Sequence, residues 1–162
     1  MRRWVGTGLA AISCLAAVVG CGVPTGGVVG VTVDAAGRPV VVVQMCEGHI
    51  DGATMYLPDD EEFGRWEVSP PVTDFSQFSL TDGGNGWRLV GSLKPREPET
   101  RYVIYGWSND SSWSATHLEF SERDLEDLQA GTVLVPSADP DSTSNVTRSL
   151  PDFRSKTCED WF

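Results

Sequence analysis

Four valines in succession, Val40-Val41-Val42-Val43, restrict this chain more than any other stretch of it. β-branched side chains suit a pleated strand and lose rotamer freedom in a helix, so the run reads as strand. Successive strand residues point to opposite faces, so an unbroken apolar run puts apolar groups on both faces, and both must be covered. The run, continued by Gln44-Met45, is expected to be a central strand. Residues 28–33 are expected to pair with it as a hairpin across the Asp34-Ala35-Ala36-Gly37 turn, with Pro39 at the strand entrance where its missing N–H is tolerated. Further strands are expected at residues 53–57, 65–68, 75–80, 87–93, 102–107 and 113–120. Turn signals separate them: Pro58-Asp59-Asp60, Pro70-Pro71 and the hairpin loop Asp82-Gly83-Gly84-Asn85-Gly86. A length of 162 residues with 40% hydrophobic residues supplies one domain and one core. Many short strands with little helix predict an all-β fold, a two-sheet sandwich.

One short helix is marked near residues 122–130. Ser121-Glu122-Arg123-Asp124 is a capping box in its Asp form, Phe120 and Leu125 have the spacing of a hydrophobic staple, and Gly131 is placed to stop the helix. Residues 132–135 read as a last strand. The chain then turns polar, and Asp139-Pro140-Asp141-Ser142-Thr143-Ser144-Asn145 reads as coil. Leu150, Phe153, Cys158, Trp161 and Phe162 give the tail enough apolar matter to dock.

The chain opens Met1-Arg2-Arg3-Trp4, followed by an uncharged stretch that reaches Gly20. A basic start, an apolar stretch and small residues at its end make a secretory signal. The stretch closes on Val18-Val19-Gly20-Cys21, which resembles the lipobox of bacterial lipoproteins. That resemblance implies a diacylglyceryl group on the Cys21 sulfur, cleavage ahead of Cys21, and a place on the outer side of the cell membrane. Two acyl chains hold where one does not. The expected organisation is a signal peptide at 1–20, a lipidated cysteine and flexible spacer at 21–27, a β-sandwich at 28–136, and a polar linker and tail at 137–162. Cys14 leaves with the leader and Cys21 carries lipid. An oxidising exterior then pairs the remaining two cysteines, Cys46 and Cys158, tying the tail back. The rival use of the same residues is a zinc site of Cys46, His49, His117 and Cys158, of which only the first two have ligand-like spacing.

A second, local resemblance concerns Leu93-Lys94-Pro95 followed by Thr100-Arg101-Tyr102. These residues look like the corner between strands E and F of fibronectin type III domains. There a Leu-x-Pro turn leads to a tyrosine whose hydroxyl bonds back to the backbone. Arg96-Glu97-Pro98-Glu99 lengthens the turn relative to that pattern. The likeness implies an Ig- or fibronectin-like two-sheet sandwich with one short helix, and no function.

The formal net charge is −11, and without Arg2 and Arg3 ten basic residues face 23 acidic ones, or −13. Such a surface repels phosphate backbones, so nucleic acid is excluded as a partner class. No nucleophile elbow occurs, because Gly106-Trp107-Ser108-Asn109-Asp110 lacks the closing glycine. There is no phosphate loop, dinucleotide fingerprint or Cys-x-x-Cys pair. His49 and His117 read as structural or surface histidines. The acidic stretch Asp59-Asp60-Glu61-Glu62 and the set Asp139, Asp141 and Asn145 miss the spacing of a calcium loop. No catalytic residue, metal or cofactor is expected. The stretch with most binding character runs from Trp107, Ser108 and Asn109 to Trp113. Flat rings beside small hydrogen-bonding residues suit a protein or glycan ligand, whereas rings turned inward would leave only a polar loop. The expectation is a lipid-anchored extracytoplasmic binding or envelope-interaction module. The alternatives are a carbohydrate-active or other hydrolase using acidic residues, and a purely structural lipoprotein.

Overall fold

The computed structural model describes residues 22–139 and 141–162, so the leader and Cys21 lie outside the described residues. The valine run falls in β2 (Pro39–Met45), paired along its length with β1 (Thr25–Val33), from Gly27 opposite Met45 to Val33 opposite Pro39. β1 thus starts within the expected spacer. The Asp34 carboxylate accepts the amides of Ala36 and Arg38 and shapes the turn between them. Along the chain follow β3 (Ile50–Tyr56), β4 (Glu62–Val72), β5 (Phe75–Ser79), β6 (Trp87–Val90), β7 (Arg101–Trp107), β8 (Ser114–Ala115) and β9 (Leu118–Ser121). Then come α1 (Glu122–Glu126), β10 (Thr132–Pro136), β11 (Asn145–Ser149) and α2 (Leu150–Trp161). Pro70 and Pro71, expected to turn the chain, instead lie inside the far end of β4.

The protein is mostly β, but its eleven strands join one barrel-like sheet rather than parting into two. The ladder runs β11-β10-β1-β8-β7-β3-β4-β6. β2 and then β5 continue from the other edge of β1, and β9 pairs with β7. What stitches the halves is the strap over residues 113–120, expected as one strand and divided here into β8 and β9. Its first part runs parallel to β1 and antiparallel to β7, so it occupies the place where a sandwich would leave a gap. Thr116 fastens the break: its N–H donates to the Gly27 carbonyl, and its hydroxyl accepts the Val29 N–H. The opposite seam, between β5 and β6, is closed by side chains. Trp87 Nε1 donates to Ser76 Oγ at 2.8 Å, and Asn85 Nδ2 donates to the Gln77 carbonyl at 3.0 Å. Curling the sheet in this way brings the β5 and β6 edges together, while β11, paired with β10 alone, stays an edge strand.

Trp66, Phe78 and Trp87 stack through the interior, with ring centroids 5.5 and 4.2 Å apart, beside Val29, Val31, Val41 and Val43. A second core lies outside the barrel, where Val28 and Val42 meet Val133, Val135 and Phe153. The two clusters account for the valine run, since alternate valines face alternate cores. α2 covers the outer cluster and presses Phe153 fully out of solvent, worth about 1.5–3 kcal/mol. Its first turn is set by Ser149, whose hydroxyl accepts the Asp152 N–H, and by Pro151. Cys158 of α2 is bonded to Cys46 at the end of β2, with Cα atoms 5.4 Å apart across 112 residues of chain. That bond consumes both sulfurs of the zinc alternative. Within the segment expected as a polar linker and a tied-back tail, residues 145–161 form a strand and a three-turn helix.

α1 carries the full capping box of Ser121 and Asp124 and buries Leu125, but ends sooner than expected. Tyr102 is buried, and its hydroxyl accepts the Glu97 N–H at 2.8 Å, five residues upstream.

Candidate functional site

β7 alternates cleanly. Tyr102, Ile104 and Gly106 face the core, while Val103, Tyr105 and Trp107 emerge on the outer face. Trp107 lies across Gly52, its partner on β3, where a Cβ would come within 2.3 Å of the indole. Its Nε1 donates to Thr54 Oγ1 at 2.8 Å, and the Arg65 guanidinium sits 4.2 Å from the ring centroid. Trp113 leans the other way, over the start of β1 and the loop after β2. A Cβ on Gly48, which holds φ at 64°, would fall 2.2 Å from its Cγ. Ser108 is buried between them. Its hydroxyl donates to the Trp113 carbonyl and accepts the Trp113 N–H. Asn109 is exposed and gives its N–H to Asp51. Both tryptophans are half-buried, neither is in the core, and they do not form one platform.

Acid–base groups gather at the same end without forming a hydrolytic arrangement. His49 Nε2 is 3.4 Å from Asp51 Oδ2. Ser112 donates its hydroxyl and its N–H to Asp110, and these bonds hold that carboxyl down to about 2. A carboxylate so held is no proton donor at neutral pH. Ser108 and Ser112 direct their hydroxyls to the Trp113 carbonyl and to Asp110 rather than to an imidazole. Among the described residues, no three His, Cys, Asp or Glu side chains converge as metal ligands.

The ring-lined surface lies two residues back along β7. Register places Thr54 opposite Tyr105 and Tyr56 opposite Val103, which brings Tyr56 beside Tyr105 on the outer face. Their rings are nearly parallel, 12° apart in plane and 5.9 Å between centroids. His117, in the break between β8 and β9, stacks on the other side of Tyr105 at 4.7 Å. The row of three rings lines a cavity of about 410 Å³ whose lip is formed by Pro58 and Asp60. A second hollow of about 270 Å³ shares Val103 and His117 and reaches Glu119, Ser137 and Asn145. Asn145 Nδ2 donates to the Glu119 carbonyl at 2.6 Å, so β11 holds the far wall against β9.

Comparison of the chain with family models, curated proteins and solved structures finds no match.

Electrostatically the groove is uncharged at its rings, with Asp60 at one end and, at the other, Glu119 ion-paired with Arg101 at 3.1 Å. Burial, and after it the neighbouring Tyr56 phenol, pushes the Tyr105 hydroxyl up to about 12. His117 keeps an exposed edge, but desolvation of the ring lowers its pKa from the usual 6.5, which favours the neutral imidazole. Neither lysine nor arginine lines either hollow. The ring row was missed in the sequence because its members lie far apart along the chain and only strand register assembles them. The available signal was the outward alternation Val103, Tyr105, Trp107, apolar at positions that a sheet facing only water would make polar.

Proposed function

We propose that this protein is a lipid-anchored extracytoplasmic binding module, tethered through Cys21, that takes its ligand in the groove over Tyr56, Tyr105 and His117. The carrying observation is the row of three near-parallel rings opening on a cavity from the outer face of the barrel-like sheet. Aromatic groups left half-buried beside a hollow are what a small-molecule site needs: apolar contact area with a few fixed polar groups. The address rests on the signal-like leader and the lipobox resemblance, and the Cys46–Cys158 bond suits an oxidising compartment. The Tyr102 corner supports a local likeness to fibronectin domains and has no bearing on the ligand. Binding is favoured over hydrolysis by the commitment of Asp110, Ser108 and Ser112 to local hydrogen bonds.

Two measurements test the reading. Cys21→Ala should release the protein from the membrane fraction or leave the leader uncleaved, and a processed variant that stays with membranes contradicts the anchor. For the site, choline, methyl glucoside and indole are titrated in turn against the full chain. At least one should perturb the Tyr56 and Tyr105 resonances, whereas silence from all three favours a purely structural lipoprotein.

A further inference from the structure

Resting on the lipid-anchor reading, we propose that the end of the barrel where β1 begins is a membrane-facing surface. It lies flush against phospholipid headgroups, with Phe162 and the exposed edges of Trp113 and Trp161 among them. Chain length sets the distance. β1 begins at Thr25, so only Gly22, Val23 and Pro24 separate it from the cysteine that would bear the lipid. Four residue steps span at most about 14 Å when fully extended. Pro24 is fastened as well, its carbonyl accepting the Ser114 N–H and hydroxyl. The interfacial layer adds about 5–8 Å to each side of the hydrocarbon. So short a tether cannot lift the domain clear of the bilayer.

The side chains at that end suit such a contact. Trp113 lies over Gly26, and the Gly26 carbonyl accepts the Cys46 N–H. α2 starts at the opposite end of β1, where Leu150 donates to Gly131 and the Thr32 hydroxyl donates to the Thr132 carbonyl. It reaches Cys46 through Cys158, so its last residues, Trp161 and Phe162, project at the tether end. Among the described residues three large apolar side chains are exposed. Val23 and Phe162 are here, at 45% and 52%, and the third, Val90, is on β6. Indole rings favour the membrane interface, where an apolar body and a polar N–H both find their surroundings. Charge sets the depth. Glu47, Asp110 and Glu159 are exposed at this end, as is Asp160, which pairs with Arg148. Carboxylates resist entry into hydrocarbon and gain nothing from anionic lipid, so contact stays at headgroup depth. The tether, rather than the patch, supplies the proximity.

The test uses the lipidated protein in phosphatidylcholine vesicles whose headgroups carry a nitroxide quencher. Tryptophan emission should be quenched, and Trp113→Phe with Trp161→Phe should remove more than about half of that quenching. A second variant leaves every packed residue in place: about twelve Gly and Ser residues inserted between Gly22 and Val23. Such a linker spans roughly 17–21 Å and should cut the quenching about threefold or more. Native protein that stays on the vesicles unquenched overturns the proposal and leaves the anchor standing. Quenching that survives the tryptophan replacements puts another face against the membrane and overturns it too. Quenching unchanged by the insertion overturns the tether as its cause. Protein exported without lipid on Cys21 removes the anchor and this surface together.

Discussion

Two aromatic regions of this protein differ in what their rings are used for. At the loop end, Trp107 and Trp113 are fastened: one lies over Gly52 beneath Arg65, the other over Gly26 and Gly48. On the outer face, Tyr56, Tyr105 and His117 touch one another and border a cavity. Glycine on a neighbouring strand or loop marks the first kind, because close ring–backbone approach leaves no room for a Cβ. The tryptophans are structural buttresses, while the tyrosine row borders open space.

The largest perturbation should separate the regions by stability. Cys46 lies beside Gly26 and donates its N–H to the Gly26 carbonyl, so the disulfide braces the Trp113 end. Reduction, or Cys46→Ser with Cys158→Ser, should cost about 2–4 kcal/mol, given the long loop that the bond closes. Hydrogen exchange should then quicken in α2 and around Trp113 before it does in the β3–β7 ladder. Uniform quickening would break the distinction.

Gly52→Ala comes next. Its Cβ would meet the Trp107 ring at 2.3 Å and the Trp66 carbonyl oxygen at 2.6 Å, so the ring must move or the strands must part. Denaturant unfolding should show a loss of about 1–3 kcal/mol, with a red shift in tryptophan emission. An unchanged midpoint would mean that the Trp107 ring is not packed as described. By contrast, Tyr56→Phe and Tyr105→Phe should each change stability by less than about 1 kcal/mol, because each removes one hydroxyl at a partly exposed position and keeps the ring. A larger loss would move the ring row into the structural class.

The smallest effect concerns pH. His117 has a folded pKa below its ordinary 6.5, so the unfolded chain takes up the proton first as the pH falls. Its contribution is complete above that value and is lost as the pH drops from it toward the lowered folded value. Thermal melts across this window should show a slope that His117→Gln removes. A His117-dependent slope of opposite sign would show that the ring is not desolvated.

Much of the scaffold was legible. The valine run demanded two covered faces and has two cores, Ser121 and Asp124 form the capping box that their spacing announced, and Cys46 meets Cys158. The C-terminal helix was missed although Ser149, Pro151 and Asp152 repeat the same kind of start signal. Its polar composition hid it, because only Phe153 and Thr157 are buried. The barrel-like closure was hidden for another reason. It depends on two residues, Ser114 and Ala115, pairing with strands on both sides, and so short a strand has no periodicity to read. The tyrosine row is likewise a product of register between β3 and β7, which local patterning does not specify.

We propose the outward ring row, and not the tryptophan loop, as the ligand-facing surface. The direct measurement is a magnetic resonance titration of the full chain, isotopically labelled in its aromatic rings, with choline, methyl glucoside and indole each used as the probe. Tyr56, Tyr105 and His117 signals are expected to shift together and saturate while those of Trp107 and Trp113 stay in place. Saturable shifts confined to Trp107 and Trp113, with the ring row unmoved, would contradict it.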